Sequence, residues 1–165
     1  MTGIVIQPGN GETYLVLGDL YTILATGEKT NGAYGLIEVL MQPQGFIPPH
    51  LHDEMDEVHY VLDGEVEYQI DEKTIFATPG TFIHISRGQF HSFKNIGLKP
   101  AKFLAWITPS GGERFFIEAG QLVHPSSDKE KLSLLGKIGP DELEKAIALA
   151  VTKYEVRFPP TANAG

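Results

Sequence analysis

Nine short segments rich in β-branched and aromatic residues follow one another up to residue 108. That succession constrains the fold more than any other feature of the chain. The segments are TYLVL (13–17), DLYTILAT (19–26), AYGLIEVLM (33–41), EVHYVL (57–62), EVEYQI (65–70), TIFAT (74–78), TFIHIS (81–86), HSFKNI (91–96) and AKFLAWIT (101–108). Turn-forming runs (DG, DEK, PG, RG and GLKP) separate the later ones, and many short strands at this spacing predict a sandwich or barrel. Asp63-Gly64 carries the strongest hairpin signal, because a type I′ turn needs positive φ at both central residues.

The last third changes period. Ser127 and Glu130 form a capping-box pattern opening SDKEKLSLL, with Gly136 as its stop. Pro140 then occupies the place of a first helical residue, followed by the acidic Asp141 and Glu142. Leu143, Ala146, Ile147, Ala150, Val151 and Tyr154 recur at helical spacing, which predicts an amphipathic helix. ERFFIEA (113–119) is a further short helical stretch. We expect one domain overall, with residues 1–120 as a β-barrel and 121–165 as a helical extension packed on it through Leu143, Ile147, Ala150 and Val151. A lid or a dimer surface is the alternative use of these helices.

Composition removes several classes of function. The 165 residues contain no cysteine, so any metal must sit on nitrogen and oxygen ligands. Thirteen basic residues against 21 acidic ones give a formal charge of −8 without a basic run. Neither nucleic acid nor an anionic membrane is an expected partner. The beginning MTGIVIQPGN has no signal-peptide pattern and no apolar run reaches membrane-spanning length, so the expectation is a cytoplasmic protein.

Six histidines are present, and two stand one residue apart in PPHLHDEMDE (48–57). Pro48 and Pro49 bias the chain toward an extended conformation, where the side-chain period of two points His50 and His52 the same way. Five residues after His52, Glu57 opens EVHYVL and shares a face with His59 and Val61. A carboxylate and an imidazole together on one face suggest a polar pocket or a solvent border. Gly88 provides a turn before HSFKNI, placing His91 at the start of that strand. His84 alternates with Ile83 and Ile85 and reads as a strand position; His124 reads as a surface residue.

Gly45-x4-His50-x-His52-x4-Glu57-x6-Gly64 resembles the first motif of the cupin superfamily, and residues 80–95 resemble the second. Fifteen residues separate Gly64 from Gly80, similar to single-domain bacterial cupins. The flanks ETYLVLGDLYTILATGEKTNGAYGLIEV and TPSGGERFFIEAG, and the terminal VRFPP, resemble the quercetin 2,3-dioxygenase-like group. Two departures are visible: the first glycine stands four rather than five residues before the histidine pair, and Ser86 replaces a proline.

The resemblance implies an all-β cupin fold, a small jelly-roll barrel with C-terminal helices. It also implies a metal site of His50, His52, Glu57 and His91 for one divalent transition metal per chain (Fe, Mn, Ni, Co, Cu or Zn). His59, Val61, Val66, Tyr68, Ile70 and Phe93 are the candidates for the substrate-pocket walls, with His59 equally a candidate for a group supporting the metal ligands or for a polar filler of the pocket. The implied activity is a quercetinase-like dioxygenation of a flavonol or similar enolic molecule by O2, with Glu57 as the catalytic base and a homodimer as a candidate assembly. An isomerase, a decarboxylase or a non-catalytic binding module is the alternative.

Overall fold

A computed structural model describes residues 3–160. Eleven strands run as β1 (Glu12–Val16), β2 (Asp19–Ala25), β3 (Gly35–Met41), β4 (Phe46–His50), β5 (Asp56–Asp63), β6 (Val66–Ile70), β7 (Lys73–Ala77), β8 (Phe82–Ile85), β9 (His91–Asn95), β10 (Ala101–Thr108) and β11 (Gln121–Val123). The helices are α1 (Gly27–Thr30), α2 (Glu113–Ala119), α3 (Asp128–Leu134) and α4 (Glu142–Lys153). Each of the nine segments read from the sequence overlaps one observed strand. Among the described residues no helix is long and apolar enough to cross a membrane.

The strands form two antiparallel sheets in a jelly-roll-like arrangement, without closing into one continuous barrel. The larger has the order β11-β1-β2-β3-β10-β5-β8 and the smaller β4-β9-β6-β7. Alternation along the strands builds the core: on β10, Ala101, Phe103, Ala105 and Ile107 are buried while the residues between them are half-buried. Ile37, Val39 and Met41 do the same on β3, so the period of two in the sequence becomes an inner face.

The Asp63-Gly64 pair is not a hairpin. β5 belongs to the larger sheet and β6 to the smaller, so the pair is a corner at which the chain changes sheets. Only Gly64 has a positive φ, 82°, and a Cβ there would stand 2.8 Å from the Ala101 Cα. Glycine is needed at this corner for its missing side chain as well as its φ. A two-residue hairpin turn with positive φ at both positions is found elsewhere, at Leu17 (49°) and Gly18 (87°) between β1 and β2.

β4 was not among the expected strands because Pro48 and Pro49 lie inside it. It occupies the edge of the smaller sheet, where missing N–H groups cost least. Its register with β9 slips between Ile47 and His50, and after the slip His50 stands opposite His91.

The C-terminal part differs from expectation in detail. Ser127 caps α3, its Oγ accepting from the Glu130 N–H at 3.3 Å, but the Glu130 carboxylate accepts from the Ser126 N–H at 2.7 Å, one residue earlier than a capping box places it. α4 starts at Glu142 rather than Pro140, because Asp141 adopts a left-handed conformation. On its apolar stripe Ala146 and Ala150 are buried, whereas Leu143, Ile147 and Val151 are 56 %, 42 % and 48 % exposed. The stripe is therefore only partly packed, since Leu143 and Ile147 border a cavity.

Candidate metal centre

The cavity has a volume of about 180 Å3 and opens between the sheets beneath α4. His50, His52 and Glu57 line it and His91 stands with them, each of the four offering a ligand atom, and these atoms all lie within 4.8 Å of one another. That is within a few tenths of an ångström of the roughly 4.4 Å that two ligands of one ion can span at about 2.2 Å each. Three different local devices deliver them. The slipped edge strand supplies His50 and, just beyond it, His52; the start of β5 supplies Glu57; the turn at Gly88 (φ 79°) supplies His91.

Hydrogen bonds fix which ring nitrogens face inward. His50 Nδ1 is 2.8 Å from the Pro48 carbonyl and His91 Nδ1 is 3.1 Å from the Gln89 carbonyl. A carbonyl only accepts, so both Nδ1 atoms carry the proton and both Nε2 atoms keep their lone pairs when the rings are neutral. His91 Nε2 and His52 Nδ1 are buried and have no hydrogen-bond partner. Buried polar atoms are nearly always satisfied, so the bare His91 Nε2, 3.3 Å from the Glu57 carboxylate and with no thiolate available, fits a divalent first-row cation. His52 faces the same carboxylate through Nε2 at 3.5 Å.

The electrostatics point the same way. Glu57 Oε2 lies 3.3 Å from His91 Nε2 and 3.5 Å from His52 Nε2, while Oε1 lies 2.6 Å from His59 Nε2. Burial pushes the Glu57 carboxyl up, but the surrounding His59, His52 and His91 outweigh it and hold it well below the usual carboxylate value. Burial, reinforced by His91, lowers His50 to about 4, leaving it neutral. Burial pulls His91 down as well, yet the Glu57 carboxylate 3.3 Å away prevails and raises it. The cluster favours one positive charge beside Glu57, which is what a bound cation supplies.

The walls are almost wholly apolar. Tyr21, Phe93, Phe103, Phe115, Phe116 and Met55 line the cavity, Tyr21 and Phe116 stacked at 4.2 Å. No Lys or Arg is among the described lining residues. α4 and the following segment cover the mouth through Leu143, Ile147, Tyr154, Val156 and Phe158. Leu51 and Arg157 exchange backbone hydrogen bonds at 2.9 and 3.1 Å, and Arg157 pairs with Asp53 at 3.0 Å. This strap runs alongside the His50–His52 segment and puts the Phe158 ring 6.5 Å from His50.

Of the expected pocket residues, His59 and Phe93 border the cavity, whereas Val61, Val66, Tyr68 and Ile70 do not. Those four are buried in the closed core between the sheets. They do face inward, but alternation gives only the face of a strand and not the depth at which an open space begins. His84 and His124 are exposed and outside the cluster. The aromatic wall from β2 and α2 and the strap of 154–158 were not read from the sequence. The inward period of Tyr21 in DLYTILA was the one signal available for them.

Residues 37–108 match the Cupin domain family. Over 116 residues the chain is 26 % identical to a quercetin 2,3-dioxygenase of Bacillus subtilis, covering 70 % of this chain and 34 % of that protein. Over 94 residues it is 31 % identical to a Streptomyces cyaneus protein described as polyketide synthase CurC, covering 56 % and 60 %. It thus spans only about a third and three fifths of these relatives. Among solved structures, KdgF from a Halomonas species superposes with a TM-score of 0.60 at 15 % identity, covering 69 % of this chain and 99 % of that one. A predicted oxalate decarboxylase of Thermotoga maritima gives 0.58 at 22 %, covering 64 % and 99 %. At these identities the likeness is one of fold. All four cluster residues lie inside the segment that is similar to the Cupin domain family.

Proposed function

We propose that this protein is a metal-dependent dioxygenase that cleaves a flavonol or similar enolic small molecule with O2. The observation that carries this reading is the division of polarity in the cavity. One end is a cluster of three imidazoles and a carboxylate, and the rest is hydrocarbon and aromatic surface without a cationic side chain. Such a space suits a flat, largely apolar molecule with one chelating end. Anionic sugars and dicarboxylates, as an isomerase or decarboxylase would take, find no side-chain counter-charge there. The two curated relatives fit the same chemistry, since quercetin carries an enolic hydroxyl beside a carbonyl and polyketides are rich in enolisable carbonyl pairs.

His50, His52, Glu57 and His91 would hold the cation, whose contribution when bound is Lewis acidity toward a coordinating hydroxyl. The chain's own residues supply the rest. Glu57 remains ionised, and the lone pair of Oε1 that His59 does not engage takes the hydroxyl proton as the substrate becomes an enolate, which raises electron density in the ring to be opened. Phe93, Phe103 and Tyr21 present flat surfaces against the substrate and keep water out. In this reading the extension from residue 121 onward closes the mouth through α4 and the strap.

The test is elemental analysis of protein purified without chelator, followed by oxygen uptake with flavonols under air. Uptake should depend on the bound metal. Glu57→Gln should slow turnover by roughly 10²–10⁴-fold, the usual weight of a general base, while substrate binding persists. Absence of uptake with any flavonol across Fe-, Mn-, Ni-, Co- and Cu-loaded protein would refute the oxygenase. Binding without turnover would leave a non-catalytic module.

A further inference from the structure

Two residues outside the ligand set stand directly behind Glu57. His59 follows it on the same face of β5, and Tyr68 comes from β6 in the other sheet. Both are 0 % exposed. His59 Nε2 lies 2.6 Å from Glu57 Oε1, and His59 Nδ1 lies 2.9 Å from Tyr68 Oη. One arrangement of protons satisfies every group. The carboxylate accepts, so His59 Nε2 carries the hydrogen and donates it; Nδ1 is then bare and accepts from the Tyr68 hydroxyl.

The imidazole has little room to turn. The Phe93 ring stands perpendicular to it at 5.2 Å and the Phe103 ring lies at 4.8 Å on a tilted approach. Unpaired, a fully buried imidazole and phenol would each be costly, and here each is the other's partner. The result is a fixed N–H donor aimed at one carboxylate oxygen, while the other oxygen faces His52 and His91.

We propose that His59 and Tyr68 are positioning residues that restrict Glu57 to single-oxygen ligation: His59 Nε2–H occupies Oε1, so that only Oε2 is offered to the cation. The proposal rests on the reading of His50, His52, Glu57 and His91 as a metal centre and is independent of the oxygenase assignment. Its consequence is a coordination position. A carboxylate bound through both oxygens would take one more place around the ion, and holding Oε1 back keeps that place for a substrate with two chelating oxygens.

The first experiment uses the unaltered protein, labelled with 15N-histidine, without metal and with one equivalent of Zn2+. Binding should move the resonances of His50, His52 and His91. His59 should keep a protonated Nε2 and an unprotonated Nδ1 in both states. Zn2+ bound with His59 protonated on Nδ1 instead, or with His59 itself shifted as a ligand, overturns this proposal alone. No movement of the three ligand histidines removes the metal reading and this proposal together.

A second experiment reads coordination through the visible bands of bound Co2+. In His59→Phe the released Oε1 joins the ion, the coordination number rises by one, and the bands weaken. His59→Gln retains an N–H donor and should recover most of the original spectrum. A His59→Phe protein that binds one Co2+ with an unchanged spectrum would show that His59 only fills space. If that variant does not fold, the 15N measurement on the unaltered chain decides the matter.

Discussion

One carboxylate ties the start of α4, part of the cover over the cavity, to the larger sheet. Glu142, the first residue of α4, accepts from the Leu17 N–H at 2.6 Å and from the Gly139 N–H at 2.7 Å. The first bond ties α4 to the β1–β2 turn, 125 residues away in sequence. Hydrogen bonds to charged groups contribute roughly 1.5–3 kcal/mol each when well shielded. One of these is part-buried and the other exposed, so about 2–3 kcal/mol for the pair is a fair figure.

Glu142→Ala should cost that amount in the local opening of α4 and much less in global unfolding, because the core between the sheets does not include this helix end. At about 1.4 kcal/mol per tenfold, opening becomes roughly 30- to 150-fold more frequent. Amide hydrogen exchange is the direct assay, read at Leu17, Gly139 and the first amides of α4. Affinity for an apolar ligand should fall in parallel, since Leu143 and Ile147 line the cavity. Exchange at Leu17 and along α4 within threefold of the unaltered protein would refute the reasoning, showing that apolar contact rather than Glu142 holds the cover.

Other outcomes follow from the same structure. The double variant His50→Ala, His91→Ala should lose nearly all bound metal in elemental analysis yet keep its far-UV circular dichroism, because the core is hydrocarbon. Leu143→Asp should change stability by only about 0.5 kcal/mol, since the side chain is 56 % exposed, but should weaken binding of an apolar ligand; a large fall in Tm would contradict this. Asp19 is raised from 3.8 to about 6, by burial in the first place and against its bond from the Gln42 N–H. The folded state therefore holds the extra proton between those values, so this group's contribution to stability is complete below about 4 and is lost as pH rises through 6. The loss is about 3 kcal/mol by pH 7. Asp19→Asn, which keeps the oxygen acceptor, should be the more stable protein at pH 7 and should match the original near pH 3.5. Parallel denaturation curves for the two from pH 3.5 to 7 would refute it.

What the sequence determined by itself was local and periodic. Alternation of apolar residues placed the nine segments in strands, because side chains on an extended chain take opposite faces whatever the strand pairs with. The pairing of His50 and His52 was legible for a similar reason, since extended chain brings both onto one side; Glu57 and His91 joined them only through the resemblance to the cupin motifs. Which strands pair was not legible. Asp63-Gly64 reads as a hairpin locally, yet the chain turns a corner there because β5 finds β10 and β8, and β6 finds β9 and β7. Depth was not legible either: Val61 and Tyr68 face inward like His59, but whether an inward residue meets a cavity or another side chain depends on elements far along the chain. The covering of the metal end by Tyr154, Val156 and Phe158, and the second bond that sets the His59 tautomer through Tyr68, join residues from separate elements. Only tertiary packing decides such contacts, because no periodicity within a single segment encodes its partner.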